Sequence, residues 1–557
     1  MSYDLLIKNG TVVDGTGAPA VRADVAITEG RIAEIGQIRD GAQRVIDAGD
    51  LIVAPGFVDP HTHHDAQICW DPLVTSTSWH GVTSVIMGNC GVGIAPCKPE
   101  VREIASWDLV NVEGIPFDAL SRGISWDWIG FGDFMDAAAR RKCGINLCFL
   151  APLTPFRHFV MGEELMDRAA RPDELERIRS LLHDAIAAGA FGFSTTTFSN
   201  HIGYQARPLA CRLASHDELM AYAGVLKELG RGAIEIALTK TIGLLTDEEY
   251  QLLDDLLTAA QRPVTWLLVS IRGKDGHLET LRKAEPLIKR GGIPQVSAVP
   301  IIVSINLRAP GIFAAMQTWR PVFNQTPEQQ KTIYASVEFR NAFREELKTF
   351  KRFKLDMSRI TVDEARHEEL KLLEGMTIDQ IARLRGKDPV DTFLDVALED
   401  DLATRFTMIP PDEDRIHELI GDPRTMIGLS DGGAHVNSHC EAGYPTYLLG
   451  HWVRDKQALT LEHAIKRITS EPADLFGIVG RGRLAPGMAA DVTIFDFDTV
   501  GPAGRQKLVS DLPGSGERFV VPANGIEYTI VNGEVLYEHR QHTGALPGRV
   551  LRSQRIN

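Results

Sequence analysis

Three histidines, His61, His63 and His64, fall within four positions at the end of the run VAPGFVDPHTHHDA (residues 53–66). Residues two apart on a β-strand share a face, so His61 and His63 can present both imidazoles to one ion while Thr62 points away. Neutral imidazole nitrogens at about 2.0–2.1 Å suit a zinc-type ion. The competing reading is a pair of partly buried histidines at a turn. His64 starts on the face opposite His63 and reads as a turn residue or a support for the ligands.

These histidines need a scaffold that ends a strand at a common site. The first fifty residues contain short alternating runs, DLLIKNGTVVDG and ADVAITEGRIAEIG, joined by NG, DG and EG turns, which predict a small antiparallel β unit. From Leu51 to about Asp431 the pattern becomes apolar runs separated by helical stretches: TSVIMGNC, INLCFLAPL, AFGFSTTT, AIEIALTK, PVTWLLVS and TMIGLSD. Such alternation implies parallel βα units, in a closed barrel or a doubly wound sheet. Polar, chemically capable residues at the ends of several strands favour the barrel. GNCGVGIAP carries glycines without the helix and acidic residue of a dinucleotide fingerprint. After Ala485 short strands return (ADVTIFDF, GIEYTIVNG, EVLYEHR), so residues 1–54 and 485–557 are expected to build one β domain around a barrel spanning 55–484. Residues 272–401 form a charged, helix-rich insertion whose mixed charges read as solvated helix faces, placed where it could also cover a substrate.

The 557 residues are 44% hydrophobic and 24% charged, with 50 Gly and 29 Pro, the composition of a folded, loop-rich chain. A formal net charge of −15 opposes nonspecific nucleic-acid binding, which needs a positive surface. MSYDLLIKNG lacks the positive flank and long apolar core of a signal peptide, and no segment reaches membrane-spanning length without charges or glycines. Seven scattered cysteines suit a reducing compartment, so the expectation is a cytoplasmic protein, with no nucleic-acid or membrane partner and with homo-oligomers open.

NGTVVDGTGAP, VAPGFVDPHTHHD, GVTSVIMGNCGVGIAP, GLSDGGAH and TSEPADLFGIVGRGRLAPGMAADVTIFD, in this order, resemble the amidohydrolase superfamily, in its N-acyl-D-amino-acid deacylase branch. The resemblance implies an α/β fold, a distorted (β/α)8 TIM barrel with a small β-sandwich built from both termini, and a zinc-dependent hydrolase cleaving a C–N amide bond of a small molecule. It also implies that His61 and His63 are the first-strand metal pair. Cys90 then matches the second-strand thiolate ligand, and Asp431 the eighth-strand aspartate that binds or adjoins the metal and shuttles a proton. Taken alone, Cys90 reads as a small buried residue and Asp431 as a cap or turn.

The departures concern strands five and six, where this branch carries two histidine ligands; their ends here read IEIALTK and TWLLVSIR. One ion held by His61, His63, Cys90 and Asp431 is therefore expected rather than two. Lys240 and Arg272 occupy the vacated strand ends, where a cation could hold a substrate carboxylate or pair with a neighbouring acid. His201, past strand four, could reach the site as a ligand, substrate contact or surface residue. His435 and His439 follow Asp431 closely, His435 as a hydrogen-bond donor to substrate. Arg157, in TPFRHFVMGE, matches a segment near the pocket. Alternatives to the deacylase are a cyclic-amide hydrolase or deaminase on the same barrel, or a binding protein that has lost its metal.

Overall fold

The computed structural model describes residues 2–162, 167–238, 245–268, 276–300, 304–350, 355–407 and 413–555. Eight parallel strands carry the candidate site: β1 (Phe57–Thr62), β2 (Val82–Met87), β3 (Asn146–Phe149), β4 (Gly192–Thr196), β5 (Ala233–Ala237), β6 (Val264–Leu267), β7 (Gly292–Val296) and β8 (Met426–Ile427). Residues of β1 to β5 are buried on both faces, as expected of parallel strands covered by helices.

Pairing follows chain order. β1 pairs β2 and β2 pairs β3, with Val85 opposite Leu147. β3 breaks at Leu150, whose N–H still bonds the Met87 carbonyl, and resumes at Ala151–Pro152 to pair β4. From there β4, β5, β6, β7 and β8 run side by side. Just beyond β8, Gly432 bridges Thr62 in parallel and accepts the His63 N–H at 2.7 Å, which brings the last strand's exit back to β1. Close backbone approach explains Gly56: a Cβ there would lie 2.2 Å from the Thr83 side chain.

Strands from the two ends of the chain share one sheet. Its order is Gln541–His542, Glu534–Glu538, Ile526–Val531, Val492–Phe495, Ile52–Pro55, Tyr3–Val12, Val21–Thr28 and Arg31–Gly36, with Ala42–Asp47 also pairing Tyr3–Val12. Leu5, Ile7, Val25 and Ile27 meet Val492, Ile494 and Ile530 in a core of their own. The spacing of two within each strand is the alternation visible in the sequence.

The long excursion differs from its expected limits. Helix Gly276–Ile288 and β7 belong to the parallel repeat, so the excursion leaves after Val296 and returns at β8. Solvated helix faces describe only its outside. Phe313, Trp319, Phe343, Phe393 and Phe406 are buried in a separate aromatic core, with the Phe313 and Trp319 rings stacked at 4.0 Å. No helix among the described residues is long and apolar enough to cross a membrane.

Candidate metal centre

Where β1 ends, His61 and His63 point to the same side, as their spacing requires. Their Nε2 atoms lie 3.2 and 3.6 Å from one oxygen, Oδ1 of Asp431. Cys90 Sγ lies 3.5 Å from His61 Nε2. The ligand atoms of His61, His63 and Cys90 all fall within 4.8 Å of one another. Both imidazoles and the thiol are buried, and Asp431 keeps a partly open edge.

The far side of each imidazole decides what the near side can do. His61 Nδ1 is 2.9 Å from Gln295 Oε1 on β7, and His63 Nδ1 is 3.1 Å from Glu113 Oε1, off the straight hydrogen-bond line. Glu113 closes helix α1 (Arg102–Glu113). The Gln295 acceptor assigns the His61 proton to Nδ1, and the Glu113 carboxylate favours the same placement at His63 by charge alone, which leaves each Nε2 lone pair facing the shared centre. Two lone pairs, a thiol and a carboxylate oxygen then converge with nothing positive between them.

Protons fill that deficit in the metal-free arrangement. Burial alone would lower the imidazoles, but Cys90 and Asp431 around His61, and Glu113 and Asp431 around His63, raise both well above the usual histidine range. Burial would raise Asp431; the two imidazoles hold it well below the carboxylate range. Burial and the Glu235 carboxylate push the Cys90 thiol up, so a thiolate here needs a cation. A divalent ion replaces such protons, and the mixed nitrogen, sulfur and oxygen donors fit zinc.

Cys90 reaches the site from a tight elbow after β2. Its backbone is left-handed (φ 55°), between Gly88 (φ 80°) and Gly91 (φ 71°). A Cβ on Gly88 would stand 2.5 Å from the Leu150 carbonyl oxygen, and one on Gly91 would stand 2.7 Å from Cys211 Sγ, so both positions require glycine.

The other expected residues separate into three groups. His64 is buried and neutral, lowered to about 4 by burial; its Nδ1 and Nε2 each lie 3.0 Å from Gln67 Oε1 and Thr77 Oγ1, so it supports the strand end. His435 Nε2 stands 3.9 Å from Asp431 Oδ2, and its ring stacks on His439. His201 is buried; burial and the nearby His435 and His63 lower it well below its ordinary value, and its Nδ1 makes no hydrogen bond among the described residues. His435 and His201 thus lie close to Asp431 and His63, while both nitrogens of His64 are turned to Gln67 and Thr77. Arg157, in helix α2 (Leu153–Met161), pairs its fully buried guanidinium with Glu218 and donates to the Arg168 carbonyl at 3.0 Å. Lys240 and Arg272 lie outside the described residues.

Three residues of the centre carry no motif: Glu113, Gln295 and Glu235. Glu235 had one legible signal, an acid inside the apolar run AIEIA. A small cavity opens beside Asp431, lined by His64, Thr77, Val436, His439 and Phe519. Phe519 arrives from the C-terminal segment and donates its N–H to the Val436 carbonyl at 2.8 Å.

A model of the Amidohydrolase family matches residues 44–537. The chain belongs to the amidohydrolase family. It is a hydrolase acting on C–N amide bonds other than peptide bonds. Among curated relatives, the N-acyl-D-glutamate deacylase of Alcaligenes xylosoxydans xylosoxydans is 29% identical over 99% of this chain and 96% of that protein. The D-aminoacylase of the same organism is 28% identical over 99% and 97%. Among solved structures, the N-acyl-D-glutamate deacylase of Bordetella bronchiseptica, in complex with zinc and a phosphonate mimic of the tetrahedral intermediate, is 25% identical with a TM-score of 0.68, covering 99% of this chain and 100% of that one. A D-aminoacylase structure described by one-metal activation and second-metal attenuation of a binuclear centre is 26% identical, with the same TM-score and coverage.

Proposed function

We propose that this family member is a zinc-dependent deacylase of N-acyl amino acids or closely related small amides, working with one ion at His61, His63, Cys90 and Asp431. The observation that carries this reading is the pair of imidazoles whose Nδ1 atoms face the side-chain oxygens of Gln295 and Glu113 while their Nε2 atoms converge with a thiol and a carboxylate. The deacylase relatives, which match along the whole chain, supply the substrate class. The eight parallel strands are read as a distorted (β/α)8 barrel, with residues 1–54 and 485–557 as the composite β domain and 297–425 as the excursion over the strand ends. Seven free cysteines accord with a reducing cytoplasm.

When bound, a divalent ion supplies Lewis acidity, acidifying water and polarising a carbonyl. Asp431 holds Oδ1 between the two imidazoles and leaves Oδ2 toward His435 and the cavity. From there the carboxylate takes the proton of the attacking water and passes it to the leaving nitrogen. His435, 37% exposed at its side chain, is placed to donate a hydrogen bond to substrate, with His201 as a further contact. Lys240 and Arg272 are candidates for a substrate carboxylate.

Protein purified without chelator should carry about one equivalent of zinc or another divalent ion, and should hydrolyse N-acyl amino acids of one hand in preference to hydantoins and lactams. Asp431→Asn should lower kcat by a factor on the order of 100 to 10,000 while the metal stays bound. Protein free of divalent metal, or an active Asp431→Asn enzyme, would sink the reading.

A further inference from the structure

Among the buried acids that the mechanism leaves unused, one lies on a strand beside the centre. Glu235 sits in the middle of β5 with its side chain wholly inside, where a carboxylate without compensation is expensive. Its Oε2 accepts a single bond, from the backbone N–H of Cys90 at 2.6 Å, and its Oε1 has no partner among the described residues. Strand five supplies no imidazole in the described chain, yet it reaches the thiol's own residue.

The elbow that Glu235 touches has reason to move. Cys90 is a non-glycine residue in the left-handed region, a conformation that is unfavourable for a side chain and persists only where surroundings enforce it. Two neighbouring strands enforce it here. From β4, Ser194 Oγ accepts the Gly91 N–H at 2.9 Å and donates to the Gly88 carbonyl, clamping the elbow's ends. From β5, Glu235 takes the N–H at its apex. Asn89 Nδ2 adds bonds to the carbonyls of Thr62 and Ile86, which tie the elbow to the end of β1. A relaxed elbow would swing Sγ away from its position 3.5 Å from His61 Nε2.

We propose that Glu235 is a positioning residue for the thiol: strand five serves the metal centre by fixing the backbone of Cys90, with Ser194 of strand four as the second clamp. The inference rests on Cys90 being a metal ligand, as proposed above. What matters in Glu235 is an acceptor at the right place, so glutamine, which keeps a carbonyl oxygen there, should replace it and alanine should not.

The test loads full-length protein with cobalt(II) and reads two things: the near-ultraviolet thiolate-to-cobalt charge-transfer band, and affinity by competition with a chromophoric chelator. Glu235→Ala should weaken cobalt and zinc binding by about 10- to 100-fold and diminish the band, as loss of groups that orient ligands does elsewhere. Glu235→Gln should stay within about threefold of the unaltered protein in both readouts, given its retained acceptor. If Glu235→Ala keeps band and affinity, the inference is overturned and the metal centre stands. If Glu235→Gln fails as badly as Glu235→Ala, the negative charge is what counts, which also overturns it. Should the unaltered protein take up no cobalt or zinc, the metal reading falls and this inference with it. Where Glu235→Ala does not fold, Ser194→Ala carries the test: it should cost about tenfold in affinity with a weakened band, and unchanged values would overturn the clamp.

Discussion

Two groups of the parallel strands are built on different plans. Strands β1, β2 and β8 end in groups that present donor atoms directly: His61 and His63, the Cys90 thiol, and Asp431. By contrast, β4 and β5 turn Ser194 and Glu235 toward the backbone of the Cys90 elbow, and β7, which pairs β8, turns Gln295 toward the rear of His61. One side offers ligands and the other fixes the ligands' geometry. The comparison teaches that a strand without a ligand residue is not thereby disengaged from the site. Missing histidines on strands five and six do not by themselves argue for a protein that has lost its centre.

The sharpest break in the comparison comes from removing the donor side. Replacing His61 and His63 together by asparagine should leave well under one equivalent of bound metal and lower kcat/KM by at least about a thousandfold, since the Lewis acid is worth several kcal/mol. Elemental analysis alongside turnover checks this, and a double variant that still holds a full equivalent would move the ion elsewhere. Cys90→Ser comes next. It exchanges a soft, ionisable sulfur for a hydroxyl that stays protonated, so zinc affinity should fall by about 10- to 100-fold. The loss should be larger for zinc than for manganese, because the harder ion gains less from sulfur. Equal losses for the two ions would place the thiol outside the coordination shell.

On the donor side the histidine pair was legible from its spacing, whereas Cys90 and Asp431 were pointed to as ligands only by the family resemblance. HTHH fixes a shared face by strand spacing alone, and GNCG and SDGG mark tight turns that only small neighbours permit. The terminal β domain was legible for the same local reason, alternation in short runs between turn dipeptides. The supporting side was hidden because its residues act across the fold: Gln295 is 234 positions from His61, and Glu235 is 145 from Cys90. β7 itself escaped notice. Its sequence, GIPQV, carries a proline that cannot donate to a ladder and a glutamine facing inward, so it does not read as an apolar strand. Without β7, the charged stretch from residue 272 seemed to be all insertion. The aromatic core around Trp319 was equally unreadable, since Phe343 and Phe393 come from helices whose exposed faces carry the visible charge pattern. The ion pair of Arg157 with the buried Glu218 was hidden for the same reason, since its partner lies 61 positions away.

The smallest expected effects distinguish the two acceptors behind the imidazoles. Gln295→Leu leaves the Nδ1–H of His61 buried without an acceptor, which removes the bias that keeps Nε2 free to bind; metal affinity should weaken by about tenfold. Glu113→Gln keeps an acceptor behind His63 and removes only a charge, through a contact that is already bent, so about threefold is expected. Because metal binds the folded state, stability follows affinity: the gap in Tm between metal-loaded and stripped protein should narrow for Gln295→Leu and barely change for Glu113→Gln. If the order is reversed, the charge on Glu113 outweighs geometry at the rear of the site. The supporting residues would then act by neutralising the cation, and the division between a side that donates and a side that orients would have to be redrawn as a division of charge.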